Sequence, residues 1–561
     1  MKLFVHSANA PIYVVYPKEV TTHEFEQAEM LSRRIDALTG IRPMLTHGAD
    51  LPANAYVIFV GRVPCGESAK VLSGLNYGQG EISFVSDNRL VITSHTEETL
   101  PMLVSYLLGH MSADDDGNIV FDDAANGYRT NGMRYMHHVP VFDGVNLINS
   151  RRSDDGCDML VVSPTDIGGY DLYIKKLLEN NFSLIYQRTA NGNVFTRLKN
   201  DEVALQVYFT PYNKYTRIVI EPVTNMFALD KEPLPKVCEP QMTLIGRRFS
   251  TTSRYLGADA GAGLMCYVIR LSDSRFIVID GGVPNDCFGD AIWNTMRDQA
   301  KDKENIVIAA WFITHTHADH IGGYINFANR YADKVKLQRL IYNFPSIEDA
   351  DCIREGWNIR QCRELMYEKF PGAVFCKPHT GELFQLGDAE IEILYTQEDM
   401  IRHRLLGLTI LGREYNCSSM AFRVTLGGTT MMFPGDTEDE ANNIISAMYG
   451  KHLKSDILQV CHHGGRGGTI EFYKFVDPDV AIFSTSDTLL KKYLALEYNY
   501  SLVYNQNVKE VYNSFENTVV FKLPYTAKGN DIPKFTGKRT YKRAKYLESL
   551  AAVEMDDGIE L

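Results

Sequence analysis

The sequence lacks the long apolar runs and the paired cysteines that mark several classes of protein. No apolar segment approaches the length needed to span a bilayer, and the opening stretch MKLFVHSANAPIYVVYPKE holds only short apolar runs, unlike a signal peptide. The ten cysteines are scattered and include no C-x-x-C pair, so we expect reduced thiols rather than a disulfide framework. We therefore predict a cytoplasmic protein that has no membrane partner.

The sequence also lacks an excess of positive charge. Its formal net charge is −13, from 57 lysines and arginines against 70 aspartates and glutamates. Phosphate repels such an acidic surface, which argues against non-specific coating of nucleic acid; a locally basic groove is not excluded, so a nucleic-acid partner stays open. The length of 561 residues exceeds what one hydrophobic core supports, so we expect two to four domains.

Residues 1–125 alternate strand and helix patterns and predict an α/β accessory module. The run IYVVY precedes a helix in which Thr21 and Glu24 fit a capping box and Gly40 fits the C-terminal stop. Phe25 lies at helical spacing with later apolar residues and is expected to face the core. The order strand, helix, strand, hairpin, helix resembles the accessory domain of α-glucuronidases and β-hexosaminidases. That resemblance implies a carbohydrate partner, and a purely structural module is the alternative.

The rest of the chain divides into three further segments. Residues 130–238 combine the amphipathic helix pattern of GGYDLYIKKLLENNF with a run of strands, which predicts a small α+β module. Residues 240–525 begin with hairpin-spaced strands and continue with alternating strands and helices. Residues 526–561 form a basic tail, with six lysines and arginines between Lys534 and Lys545. Such a run is typical of a solvated end, and contact with an anionic substrate is the alternative.

The stretch WFITHTHADHIGGY, residues 311–324, crowds metal-ligand side chains directly after an apolar run. His315 and His317 are two positions apart and therefore point the same way on an extended segment. Asp319 and His320 follow one turn later and can reach a second ion. Imidazole and carboxylate are ligands for Zn²⁺, and also for Mn²⁺ or Fe²⁺. We therefore predict a site for one or two metal ions, with zinc as the expected metal.

This H-x-H-x-D-H pattern at a strand-to-helix turn resembles the first motif of the metallo-β-lactamase superfamily. Further features that the superfamily requires are present, because FIVIDGG supplies Asp280, TTMMFPGDTEDE supplies Asp436, and SDILQVCHHGG supplies His462 and His463. The resemblance implies an α/β fold in which an αββα sandwich over residues 240–525 follows two small α+β modules.

The same resemblance implies how the ligands divide between two ions. His315 and His317 would hold the first ion, and Asp436 would bridge both, since its charge offsets the repulsion between the cations. The second ion would take Asp319, His320 and His462. His462 is favoured over His463 as the ligand because it directly follows the strand. His463 is then a ligand or an acid–base partner.

One feature of the superfamily is not met. Another histidine usually stands before the bridging aspartate, where this sequence has EYNCSSMAFRV with Asn416 or Ser419 in its place. Neither His379 nor His403 lies in a suitable segment. The pattern N-x-x-S, then G-D, then D-x-L-x-V-x-H-H-G is similar to the branch that contains the soluble hydrolase domain of ComEC competence proteins and the related phosphorylcholine esterases.

The chemistry that this resemblance implies is metal-dependent hydrolysis. Coordination lowers the pKa of a bound water towards neutrality, which gives an activated hydroxide, and two cations suit phosphoester cleavage. We therefore predict a hydrolase that acts on a phosphodiester or a related ester, with a small or oligomeric, anionic substrate. The expected catalytic residues are Asp319 and His463, the latter protonating the leaving group or holding a phosphate oxygen.

Three alternatives remain at this point. A lactonase, thioesterase or amidase would use the same site, because one fold supports many reactions. A flavodiiron-type redox protein would need a glutamate where this chain has His317. A protein that binds carbohydrate or another partner, with a degenerate hydrolase domain, is the third alternative.

Overall fold

The computed structural model describes residues 2–4, 10–47, 51–132, 134–153, 155–226, 235–246, 265–347, 350, 355–400, 415–514 and 518–535. His403 and the basic tail beyond residue 535 lie outside these residues. Within the described ranges, no helix has both the length and the apolar character needed to cross a bilayer.

The N-terminal unit is a mixed sheet with helices on both faces. Its strands are β1 Lys2–Phe4, β2 Ile12–Val15, β3 Met44–Thr46, β4 Tyr56–Val60, β5 Gly80–Ser86, β6 Arg89–Ser94, β7 Met111–Ala113, β8 Ile119–Phe121 and β9 Tyr128–Thr130. Its helices are α1 Thr22–Thr39, α2 Gly66–Leu72 and α3 Leu100–Gly109. The main sheet has the order β3-β2-β4-β6-β5-β9, and β1-β8-β7 form a small second sheet. Helices α1 and α3 pack on one face of the main sheet and α2 on the other.

The first helix has the predicted ends. The Thr21 side chain accepts a hydrogen bond from the Glu24 amide, the Glu24 carboxylate accepts one from the Thr21 amide, and Gly40 is left-handed. Phe25 does not reach the core as expected: its side chain is 37% exposed and meets the Tyr16 ring edge-on instead.

The middle unit is a six-stranded antiparallel sheet with one helix. Its strands are β10 Asn146–Arg152, β11 Asp158–Ser163, β12 Ser183–Ala190, β13 Asn193–Lys199, β14 Val203–Thr210 and β15 Tyr215–Pro222, in the order β10-β11-β15-β14-β13-β12. Helix α4, Ile167–Glu179, covers one face. The opposite face carries Phe195, Tyr208 and Val219, which pack into the core of the C-terminal unit. The strands β13 to β15 are therefore buried on both faces.

The C-terminal unit consists of two facing sheets. The first has the order β22-β21-β19-β18-β17-β16-β30, with β20 beside β19, and the second has the order β23-β24-β25-β26-β27-β28-β29. The strands of the first sheet are β16 Gln241–Leu244, β17 Cys266–Arg270, β18 Phe276–Asp280, β19 Ile306–Phe312, β20 Val335–Leu337, β21 Arg339–Ile341, β22 Val374–Cys376 and β30 Val519–Lys522. Those of the second are β23 Leu383–Leu386, β24 Ala389–Tyr395, β25 Ala421–Leu426, β26 Thr429–Phe433, β27 Ile457–Gln459, β28 Val480–Phe483 and β29 Glu510–Asn513.

Helices cover both outer faces of this sandwich. They are α5 Asp286–Gln299, α6 Ala318–Tyr331, α7 Gly356–Lys369, α8 Asp439–Tyr449, α9 Ile470–Val476, α10 Asp487–Tyr493 and α11 Glu497–Asn505. Helices α5 to α7 pack on the first sheet, and α8 to α11 pack on the second. An apolar core that includes Tyr267, Phe312 and Phe422 fills the space between the sheets. This is the αββα arrangement that the sequence predicted.

The division of the chain into four domains stays a prediction. The first sheet extends to Thr130, because β9 pairs with β5, so it runs past the boundary expected at residue 125.

Candidate metal centre

The candidate centre lies where strands of both sheets end. Asp280 closes β18, the segment with His315 and His317 follows β19, Asp436 follows β26, and the His462–His463 pair follows β27. Strands β18 and β19 are parallel, as are β26 and β27, so their carboxyl ends lie at the same edge of the sandwich.

Helix α6 begins in very close contact with the turn after β18. A Cβ on Gly323 would lie 1.9 Å from the Gly281 carbonyl oxygen, and one on Gly322 would lie 2.2 Å from the Pro284 nitrogen. Only glycine therefore fits at these two positions of the helix. The contact brings the first turn of α6, with Asp319 and His320, beside Asp280.

Asp280 orients His320. One carboxylate oxygen accepts a hydrogen bond from the Thr314 amide at 2.8 Å. The other lies 2.9 Å from the Thr314 hydroxyl, which donates to it, and 2.8 Å from Nδ1 of His320. When Nδ1 carries the proton, the lone pair of Nε2 on the opposite side of the ring is free for a metal ion.

Asp436 lies at the middle of a ring of imidazoles. Its Oδ2 is 3.3 Å from Nε2 of His320, 3.4 Å from Nε2 of His463, 3.6 Å from that of His462 and 3.9 Å from that of His315. The carboxylate is buried. One oxygen that faces four imidazole nitrogens has the position expected of a carboxylate shared between two cations.

Two overlapping sets of ligand atoms result. His315, His320 and Asp436 form one set and Asp319, His320 and His463 the other, and within each set the ligand atoms lie within 4.8 Å of one another. Oδ2 of Asp319 is 3.3 Å from Nε2 of His463, whose Nδ1 lies 2.9 Å from the Ser484 carbonyl oxygen. That carbonyl holds the His463 ring as Asp280 holds the ring of His320.

The donor atoms fit a metal ion. Nε2 of His320, Nε2 of His463 and Oδ1 of Asp436 are buried and make no hydrogen bond within the part of the chain that the structure describes. Burial opposes the charged imidazole, but the carboxylates of Asp436 and Asp319 raise the pKa of His463 to about 10. Buried polar atoms that converge without partners indicate a cation among them, and this imidazole–carboxylate set suits zinc.

His463 rather than His462 lies in the set with Asp319 and His320. Both residues have left-handed backbones, with φ of 55° and 45° respectively, followed by Gly464 at 88°. His463 is buried, whereas His462 is partly exposed and has its Nδ1 3.0 Å from Glu438. This geometry favours His463 as the ligand, in contrast to the preference for His462 that its position after the strand suggested.

The His315 side of the centre has fewer ligands. Nε2 of His315 is 2.9 Å from Nδ1 of His317, and the partly exposed His317 ring has Nε2 4.0 Å from Glu355. The two expected substitutes for a third histidine differ: Ser419 is engaged through its hydroxyl, whereas the buried Oδ1 of Asn416 makes no hydrogen bond to a described residue. The Asn416 amide donates to Glu438 at 2.8 Å, and the Ser419 hydroxyl accepts from the Asp436 amide at 3.1 Å.

Sequence reasoning missed two carboxylates beside the partly exposed histidines: Glu355 lies beside His317 and Glu438 beside His462. Glu438 lies two residues after Asp436, so the acidic run GDTEDE offered a weak signal. Glu355 comes from the segment that leads into α7, and its pairing with the His317 side depends on tertiary packing alone. His379, which was not expected as a ligand, lies at another place in the fold and pairs with Glu398.

A two-sheet sandwich with a histidine–aspartate cluster at one edge is the arrangement that the motif predicted. Residues 264–483 match the family model described as the metallo-beta-lactamase superfamily, so this part of the chain is a metallo-β-lactamase-type domain.

One relative and two solved structures are similar to parts of this chain. ComE operon protein 3 of Bacillus subtilis (strain 168) is 23% identical over 176 residues, which are 31% of this chain and 20% of that protein. The chain thus matches only about a fifth of that relative's length. The metallo-beta-lactamase fold protein YhfI from Bacillus subtilis is 14% identical, over 50% of this chain and 99% of its own, with a TM-score of 0.30. Unliganded yeast PDE1 is 11% identical, over 51% of this chain and 100% of its own, with a TM-score of 0.31. The likeness of residues 1–125 to glycosidase accessory domains stays a prediction.

Proposed function

We propose that the protein is a metal-dependent hydrolase of a phosphodiester or a related ester. The observation that carries the proposal is the buried Asp436 carboxylate, ringed by imidazoles, with converging donor atoms that lack other partners. One ion would be held by His315, His317 and Asp436, and the other by Asp319, His320, His463 and Asp436.

The protein's own residues orient the metal-binding imidazoles and can accept a proton. When bound, the cations lower the pKa of water and polarise a phosphoryl oxygen. Asp280 keeps the proton of His320 on Nδ1, and the Ser484 carbonyl does the same for His463. The Asp319 side chain is 29% exposed, unlike the buried Asp436, so its carboxylate can reach an attacking water and accept its proton.

We assign His463 to the ion that Asp319 and His320 would hold, so the acid–base role falls to His462. Its Nδ1 lies 3.0 Å from Oε1 of Glu438, and its ring is partly exposed. The Glu438 carboxylate can hold the imidazole with Nε2 towards the substrate. We infer that His462 donates a proton from Nε2 to the leaving oxygen.

Arg466 favours an anionic substrate over a neutral one. It is exposed in the loop HHGGRGG, directly after the histidine pair. Burial opposes the charge on Glu438, but His462 and, more weakly, Arg466 lower the pKa of its carboxyl, so the Arg466 charge reaches the Glu438 side of the centre. A guanidinium there would hold a non-bridging phosphate oxygen, which a lactone or a thioester lacks.

The test is hydrolysis of bis(p-nitrophenyl) phosphate by zinc- or manganese-loaded protein, together with a metal count. We expect turnover that a chelator abolishes and that falls at least about 100-fold in Asp319→Asn and His320→Ala. Asp456→Asn is the matched control, since this carboxylate holds Thr430 in the second sheet, away from the histidines.

Bound metal without phosphodiester turnover, but with lactone or thioester turnover, would reject the phosphodiester and keep the hydrolase. A protein that binds no metal, or whose turnover survives in His320→Ala, would reject the proposal as a whole.

A further inference from the structure

A second cluster of metal-type ligands lies where the middle sheet packs on the C-terminal sandwich. Cys157 directly precedes β11, Glu221 lies on β15, and His379 follows β22. All three side chains are buried, at most 3% exposed. One thiol sulfur, one carboxylate oxygen and one imidazole nitrogen from these residues all lie within 4.8 Å of one another.

Two of these ligand atoms lack a hydrogen bond. Nε2 of His379 is 3.7 Å from Oε2 of Glu221, an ion-pair distance that is too long for a hydrogen bond. Neither atom makes a hydrogen bond to any residue that the structure describes. Leaving such atoms unsatisfied in a buried interface is costly, so their convergence indicates a missing ligand between them.

Each of these two side chains is held from its far side. Nδ1 of His379 lies 3.0 Å from Oε1 of Glu398, which fixes the ring with Nε2 towards Glu221. Oε1 of Glu221 accepts a hydrogen bond from Arg197, which leaves Oε2 directed at the imidazole. Outer partners that orient an imidazole and a carboxylate in this way are typical of metal sites.

We propose that Cys157, Glu221 and His379 bind a divalent metal ion of the zinc class, separate from the candidate metal centre. Thiolate, imidazole and carboxylate are the three ligand types of protein zinc sites. The distance of 3.7 Å between Nε2 and Oε2 is close to the edge of about 3.4 Å expected for tetrahedral bonds of about 2.0–2.2 Å. Three protein ligands leave the fourth position to a non-protein ligand.

The charges around the cluster favour a cation. Two cations, Lys377 and Arg197, pair with the carboxylates there, Lys377 with Asp155 at 2.7 Å. Four carboxylates lie around the site: Glu221, Glu382 and Glu398 are buried residues, and the side chain of Asp155 is 4% exposed. A divalent ion offsets this excess of negative charge within the buried interface.

Such an ion would join two units of the chain. Cys157 and Glu221 belong to the middle sheet, whereas His379 belongs to the sandwich that carries the candidate metal centre. The inference does not rest on the proposed hydrolase activity. It assigns the ion a structural role, because the cluster is buried and no substrate can reach it.

The test uses Co²⁺ as the probe in the full-length protein. A thiolate bound to Co²⁺ gives a ligand-to-metal charge-transfer band in the near ultraviolet, and none of the residues of the candidate metal centre is a cysteine. We expect this band in the wild-type protein and in His320→Ala, and its loss in Cys157→Ser. Cys362→Ser is the matched control, because Cys362 is a buried cysteine on α7, outside the cluster.

The metal count gives a second, independent readout. Zinc bound per chain should fall by one ion in Cys157→Ser and in the isosteric Glu221→Gln, and stay at the wild-type value in Cys362→Ser. A wild-type protein that shows no thiolate band would overturn the proposal and leave the cluster as an ion pair of protonated His379 with its carboxylates. A band that survives in Cys157→Ser, or one that disappears in His320→Ala, would overturn it as well.

Discussion

The carboxylate of Asp280 decides which nitrogen of His320 faces the candidate metal centre, and replacing Asp280 by asparagine tests this directly. The Thr314 backbone amide can only donate, so the asparagine oxygen has to stay opposite it. The asparagine NH₂ group then faces the Thr314 hydroxyl and Nδ1 of His320. Nδ1 must accept, and the imidazole proton moves to Nε2. A protonated Nε2 cannot bind a metal ion.

The expected effect is a loss of metal affinity without loss of the fold. Replacing the carboxylate behind a metal-ligating imidazole typically weakens binding about 10–100-fold, which corresponds to about 1.4–2.7 kcal/mol. The size and shape of the side chain are unchanged, the Thr314 amide keeps its acceptor, and the Thr314 hydroxyl can accept from the new NH₂ group. Near-native circular dichroism is therefore expected beside weakened zinc binding.

The assay is competition for Zn²⁺ against a chromophoric chelator, with Asp456→Asn as the matched control. Asp456 accepts from the Thr430 amide and hydroxyl, both at 2.8 Å, just as Asp280 accepts from Thr314, whereas Asp280 also lies 2.8 Å from Nδ1 of His320. The difference between the two variants therefore isolates the contact with His320. Equal zinc affinity in Asp280→Asn and Asp456→Asn would refute the assigned role of Asp280.

Three further predictions follow from other parts of the molecule. Gly323→Ala should lower the free energy of unfolding in urea by about 1–3 kcal/mol, because its Cβ would meet the Gly281 carbonyl oxygen at 1.9 Å. The control is the helical Gly109→Ala, whose Cβ would meet no atom within 4 Å and which should raise the free energy of unfolding by up to about 1 kcal/mol. Equal effects of the two substitutions would contradict the close packing at Gly323. Arg466→Gln should raise KM for bis(p-nitrophenyl) phosphate about tenfold while leaving hydrolysis of a neutral ester unchanged, and parallel losses on both substrates would contradict a role in binding the anion. Burial opposes the charge on Glu392, yet its contacts with His452, Arg423 and Arg188 lower its pKa from 4.5 to about 2. The ionised Glu392 carboxylate therefore adds up to about 3 kcal/mol to the free energy of unfolding above pH 4.5, and this contribution is lost as the pH falls towards 2. In urea unfolding, Glu392→Gln should show a flatter pH dependence of stability over that interval. The control Glu179→Gln, at an exposed position, should match the wild type.

The parts that could be predicted from sequence are those whose causes are local. Helix α1 was recognisable because Thr21, Glu24 and Gly40 close its ends through contacts within a few residues. His315, His317, Asp319 and His320 are close in the chain, so their crowding could be predicted before any tertiary contact was known. Phe25 was wrongly assigned to the core, since helical spacing identifies a face but not how far neighbouring elements cover it.

Residues that meet only through packing escaped prediction. The cluster of Cys157, Glu221 and His379 joins three segments that are distant in the chain, and none of them belongs to a recognisable pattern. The burial of β13 to β15 on both faces likewise depends on a partner sheet that their own sequence does not identify.

The choice between His462 and His463 shows how a backbone constraint can outweigh position along the chain. A strand that ended regularly would present the first histidine after it, but this loop turns left-handed at both histidines and at Gly464. A Cβ on Gly464 would meet the Phe483 ring at 2.6 Å, and one on Gly467 would meet the Thr437 carbonyl at 2.4 Å. The glycines of HHGGRGG therefore allow the tight turn that brings His463 inward.

The same turn makes the two halves of the candidate metal centre unequal. With His463 inside, the second set combines Asp319, His320 and His463 around the shared Asp436. The first half has the His315 and His317 imidazoles. Where a third histidine was expected, the Ser419 hydroxyl holds the Asp436 backbone, and Asn416 donates to Glu438 through its NH₂ group while its Oδ1 makes no hydrogen bond to a described residue. Since affinity rises with the number of charged and imidazole ligands, we expect the half around His463 to bind its ion more tightly than the half around His317.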